Sequence, residues 1–77
     1  MFRNVPSQKV IEKLKEEYPQ GCRVELIYMD DPYTKIPKGT KGTVTGVDDI
    51  GTIHVHWDTG HQLGIAYGED QCRKAVE

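Results

Sequence analysis

Apolar and polar positions alternate strictly from Thr52 to Trp57, with Ile53, Val55 and Trp57 interleaved by Thr52, His54 and His56. A period of two predicts a strand with one face in a core and one in solvent. Upstream, Gly42 to Val47 carries Val44 and Val47 and predicts a second strand, which Asp48-Asp49-Ile50-Gly51 turns into the first. Downstream, Asp58-Thr59-Gly60 suits a three-residue hairpin, a type I turn with Gly60 in the left-handed position. That register sets Trp57 opposite His61, Val55 opposite Leu63 and Ile53 opposite Ile65. The last two pairs match apolar with apolar.

The flanking segments follow different periods. Val10, Ile11, Leu14 and Tyr18 form one stripe of a 3.6-residue repeat, which predicts an amphipathic helix over residues 8–18. Ser7 is its expected N-cap, and Pro19 and Gly21 end it. From Gly21 to Met29, Val24, Leu26 and Tyr28 alternate with Arg23, Glu25 and Ile27, a strand whose outer set carries one apolar residue, Ile27. Gly68-Glu69-Asp70 makes a short turn before a last strand from Cys72 to Val76. The sum is one mostly β domain: a tail over 1–7, the helix, and a small five-stranded SH3-like barrel over 21–77. Its expected core is Val24, Leu26, Val44, Ile53, Val55, Trp57, Leu63 and Ile65, with the helix covering an open end or edge. The sharper alternative for the helix is a docking surface for a partner or a second copy.

Composition narrows the function. The chain has 77 residues, 36% hydrophobic and 29% charged, as in a folded globular domain. No apolar run approaches the ~20 residues that span a bilayer, and no apolar h-region follows the N-terminal methionine. No membrane partner and a cytoplasmic location are the expectation. The net charge of −2 argues against nucleic acid, whose binding needs a basic excess. A local patch of Lys35, Lys38 and Lys41 with Tyr33 is the feature that would overrule it. The two cysteines, Cys22 and Cys72, have no C-x-x-C spacing and read as small buried hydrophobes, with a disulfide as the alternative.

Candidate chemistry is sparse. His54 and His56 share one strand face at i and i+2, but His61 falls on the other face and no third metal ligand converges. No metal site, no cofactor and no catalytic constellation is expected, so the chain is read as not an enzyme. Asp30-Asp31 and Asp48-Asp49 sit in turns, where aspartate bonds its own backbone. The longest irregular stretch, Asp30 to Lys41, is long for a compact domain, and loops of that length often carry function. A partner surface is therefore expected at Tyr33, Trp57 and Tyr67, rimmed by Asp30, Asp31 and Glu69 on one side and by Lys35 and Lys38 on the other. The competing reading makes all three rings core, and pins the loop by Tyr33 and Ile36.

The runs E-E-Y-P-Q-G-C-R-V-E-L, M-D-D-P-Y-T and P-K-G-T-K-G-T-V-T-G-V-D-D-I-G-T-I-H-V-H-W-D-T-G, then G-E-D, span residues 16–70. In that order they resemble a bacterial and phage family of small proteins of unknown function, found widely in mobile elements of Gram-positive bacteria. The resemblance implies no activity. The segment from Gly42 to Gly60 is also similar to domains of eukaryotic ubiquitin ligases that bind protein partners on SH3-like barrels. Together these imply a non-enzymatic protein-binding module, an adaptor or an inhibitor acting on a host protein. A nucleic-acid accessory module is the alternative.

Overall fold

The computed structural model describes residues 6–29 and 36–75. One helix, α1 (Gln8–Glu17), precedes five strands: β1 (Arg23–Tyr28), β2 (Lys41–Val47), β3 (Ile53–Trp57), β4 (Gln62–Ile65) and β5 (Gln71–Lys74). The helix starts where the sequence places it. Ser7 is extended, and its hydroxyl accepts the Val10 N–H at 3.3 Å, satisfying one of the orphan donors of the first turn. It stops at Tyr18, whose N–H still reaches the Leu14 carbonyl at 2.8 Å, directly before Pro19.

The strands form one antiparallel sheet in the order β4-β3-β2-β1-β5. The β3–β4 hairpin has the register expected from sequence, with Ile53 facing Ile65 and Val55 facing Leu63. Trp57 N–H donates to the His61 carbonyl at 2.8 Å, and Gly60 N–H donates to the Trp57 carbonyl at 2.8 Å. Gly60 has φ +97°, a backbone state that other residues adopt only with strain.

Two bulges break the strict alternation. In β2, Val44 pairs with Val55 but Gly46 pairs with His54, so Thr45 is an extra residue. This is how Val44 and Val47, three apart, both pack toward the core. In β1, Leu26 pairs with Cys72 and Tyr28 with Gln71, which leaves Ile27 extra. The expectation that Tyr28 follows Val24 and Leu26 inward is therefore wrong. Tyr28 is 53% exposed, while the off-phase Ile27 is half-buried.

The core comprises Val24, Leu26, Val44, Ile53, Val55, Trp57 and Ile65, as the pattern predicts, together with Ile36. Leu63 is only partly buried against it. Ile11 of α1 is buried as well, and Leu14 and Tyr18 pack on the cluster, so the helix stripe lies against the sheet. Of the long loop, residues 30–35 lie outside the described residues. Its exit is tied to β1: Leu26 N–H donates to Thr40 and the Leu26 carbonyl accepts from Gly39, both at 2.8 Å.

A closed barrel is not formed by these pairings. Among the described residues β4 and β5 each have one strand neighbour, so the sheet is open. The link between them is a compact turn over 66–70, in which the Ala66 carbonyl accepts the N–H groups of both Glu69 and Asp70. Strands at opposite edges of a flat five-stranded sheet would be about 19 Å apart, and so tight a turn does not span that. The sheet is accordingly curled, bringing its two edges together at Ile65 and Gln71 without zipping them.

Trp57 sits in the middle of this curl, fully buried, with its indole N–H donating to the Leu63 carbonyl at 3.1 Å. Gly42, its partner on β2, makes room for it: a Cβ there would lie 2.8 Å from Trp57 Cε3 and 2.6 Å from Val55 Cγ1. Gly42→Ala is expected to destabilise the domain by about 1–3 kcal/mol through overpacking. A urea midpoint unchanged from wild type would show that the contact relaxes freely.

Candidate functional site

The aromatic surface expected from sequence is not assembled as such. Asp30, Asp31, Tyr33 and Lys35 lie outside the described residues. Lys38 is exposed, in the turn that follows the buried Ile36. Trp57 is wholly interior and has no surface to offer a partner; the β3 alternation that placed it in the core excludes it from a rim. Tyr67 is the exception, 39% exposed on the turn between β4 and β5.

Tyr67 borders an apolar groove of about 290 Å³ between the helix and the converging sheet edges. Leu14 and Tyr18 of α1 form one wall, and Ile53 and Ile65 form the floor. Ile27, Cys72 and the turn carrying Tyr67 complete it. Each element has a local reason to be there. The helical stripe supplies Leu14 and Tyr18 at i and i+4, and the β1 bulge swings Ile27 inward. The Asp70 carboxylate, accepting the Ala66 N–H at 2.9 Å, holds the turn that presents Tyr67. Sequence reasoning missed the groove because it joins residues from five elements. The signal available was Ile27, an apolar residue in the polar phase of its strand.

Two groove side chains, Cys72 and Tyr18, are held protonated at neutral pH. Burial pushes the Cys72 thiol up to about 11, with the nearby Cys22 adding to it. Burial likewise raises the Tyr18 phenol, assisted by Cys72, Glu17 and Cys22. The Lys74 ammonium lies 6.0 Å from the centre of the Tyr18 ring, at the outer limit of a cation–π contact. Cys22 and Cys72 are free thiols. Cys72 stands opposite Leu26, four positions along β1 from Cys22, which does not suit a disulfide between them.

His54 and His56 sit on the opposite, outer face. His54 Nε2 contacts Asp48 Oδ2 at 2.8 Å, and His61 Nδ1 contacts Thr59 Oγ1 at 2.8 Å. His56 is exposed on the same strand as His54. Among the described residues no group of three or more His, Cys, Asp or Glu side chains is placed to hold a metal ion. Asp48 is instead a turn builder, its Oδ1 accepting the N–H groups of Thr52 at 2.9 Å and Ile50 at 3.1 Å. Desolvation acts to raise its pKa, but the His54 hydrogen bond and those two backbone donors outweigh it and hold the carboxyl below its ordinary value.

Several cations are likewise committed within the fold. Arg23 reaches across β2, bonding Thr43 at 3.0 Å and both oxygens of Asp58 at 2.8 and 2.6 Å. That bond holds the Asp58 carboxyl below its usual range. Arg73 bonds Glu25 at 3.2 Å, and Lys15 bonds Asp49 at 3.3 Å.

A curled open sheet with a helix-walled apolar groove makes this a small, mostly β domain. The chain belongs to the family described as a domain of unknown function, DUF4314, which it matches over residues 7–75. The match takes in the helix, which the runs quoted from the sequence reach only at its C-terminal end. No curated protein matches the chain. No solved structure matches it either. No helix among the described residues is long and apolar enough to cross a membrane.

Two outcomes follow from the titrating groups. Because the folded pKa of Asp48 lies below the unfolded one, its contribution to stability is complete above about pH 4 and is lost as pH falls through the lowered value. The destabilisation by Asp48→Asn, read from urea midpoints, should therefore shrink as pH is taken below about 4. A pH-independent difference would contradict the assignment. For Cys72, alkylation by iodoacetamide at pH 8 should run about a hundredfold slower than that of an unperturbed thiol. Reaction at the free-thiol rate would show the side chain to be solvated.

Proposed function

We propose that this domain is a protein-binding module without catalytic activity, acting in the cytoplasm as an adaptor or an inhibitor of a host protein. The observation that carries the reading is the groove, an apolar concavity left unfilled in a small domain and bordered by the half-exposed Tyr67. A short chain has little apolar material to leave on its surface, and a contiguous apolar patch is the usual mark of an interaction site. The groove thiol and phenol are pushed away from neutral pKa values, which suits contact rather than acid–base or nucleophilic chemistry.

In this reading the curled sheet is a variant of an SH3-like barrel, which the strand order and the tight 66–70 link support. A mobile-element setting rests on the sequence resemblance. The nucleic-acid alternative draws on Lys38 and Lys41, both exposed, with Lys35 and Tyr33 outside the described residues, and is disfavoured by the net charge of −2.

Capture from bacterial lysate with the wild-type domain and with Tyr67→Ala tests the reading. The variant is expected to keep its melting temperature and to bind the captured protein more weakly by about 1–3 kcal/mol, as for an interface anchor. Equal binding by the two proteins would remove the groove from the function. Recovery of nucleic acid with steep salt dependence would favour the alternative.

A further inference from the structure

The two edges of the sheet are not equivalent. β5 carries Arg73 and Lys74, charged residues of the kind that guard an edge against pairing. β4 is Gln62-Leu63-Gly64-Ile65, with no charge and no proline. The direction of its hydrogen bonds follows from the hairpin. Trp57 bonds His61, and the pairs Val55–Leu63 and Ile53–Ile65 continue that alternation, so Leu63 and Ile65 turn their backbone groups toward β3. The N–H and C=O groups of Gln62 and Gly64 therefore point away from the sheet, and among the described residues no strand meets them.

We infer that β4 is a docking edge for an extended peptide segment of a protein partner, added as a sixth strand whose alternate apolar side chains enter the groove. Backbone groups in a row select an extended backbone as their complement. A strand laid along β4 puts every second side chain on the inner face beside Leu63 and Ile65, and Ile65 is part of the groove floor. The intervening side chains fall on the outer face, beside a shallow pocket of about 220 Å³ bordered by His54, His56, Gln62 and Gly64, where small polar residues fit.

The chain carries a net charge of −2. A basic residue flanking the apolar pair is the complementary choice. A second copy of this chain is a poor occupant: its own Ile65 is buried and its Leu63 half-buried in its own core, so its β4 has no free apolar side chain for the groove.

This rests on the protein-binding reading, and selection from a displayed library of random heptapeptides separates the two. Enriched peptides are expected to show apolar residues two apart with a flanking Lys or Arg. The best of them, made synthetically, should slow amide exchange at Gln62 and Gly64. N-methylation of its edge-facing amides should weaken binding about tenfold or more, the loss of one or two well-placed hydrogen bonds. Gln62→Pro, which removes one outward N–H and is tolerated on edge strands, should bind about tenfold more weakly at unchanged melting temperature. Should that variant not fold, the N-methylated peptide decides alone.

Peptides that bind through Tyr67 but are indifferent to N-methylation would overturn strand addition and leave the groove reading standing. Enrichment without a period of two, or peptide binding that depends on neither Tyr67 nor the β4 amides, would overturn the proposal. So would no enrichment at all, or a domain that dimerises through β4 instead.

Discussion

The fit of the Trp57 indole against Gly42 is the constraint on which the rest of this small domain depends. The ring is fully buried, the glycine lets β2 close on it, and the indole N–H is satisfied by the Leu63 carbonyl of the next strand. One side chain thereby fixes the spacing of β2, β3 and β4. The curl that follows brings Ile65 and Gln71 within reach of one short turn, and the groove is the space left where those edges approach without joining.

Much of the fold was legible because the relevant forces are local. The Ser7 cap, the Pro19 stop and the Gly60 hairpin each depend on a few adjacent residues, and the β3–β4 register followed from them. What was not legible depends on contacts remote in sequence. The Ile27 and Thr45 bulges insert a residue only relative to a partner strand, so alternation alone placed Tyr28 on the wrong face. The open sheet was hidden for the same reason, since closure depends on how two strands separated by a turn pair with others. Ile36 shows a partial success: it is buried, as an anchored loop requires.

The candidate surface was harder still. The same alternation that marks Trp57 as core removes it from any rim, so the two expectations conflict on sequence alone. The polar groups followed simpler rules. Asp48, Asp58 and Asp70 each bond backbone donors or an arginine. With those charges engaged in turns and cross-strand ties, the proposed recognition rests on apolar surface and on backbone at a sheet edge.

The bulges also bear on how this sequence can change. Each acts as a phase shifter: upstream and downstream of Thr45 the inward set belongs to opposite parities of the numbering, as Val44 and Val47 show. A point substitution at the exposed Thr45 alters one surface side chain. Removal of that residue would restore strict alternation with Val44 and Val47 both still inward, whereas removal of the paired Thr43 would bring Lys41 opposite Trp57 in place of Gly42, a change comparable to a frameshift confined to one strand. The domain should therefore tolerate loss of the bulge residue and resist loss of a paired one, which single-residue deletants at Thr45 and at Thr43 would show in their unfolding midpoints.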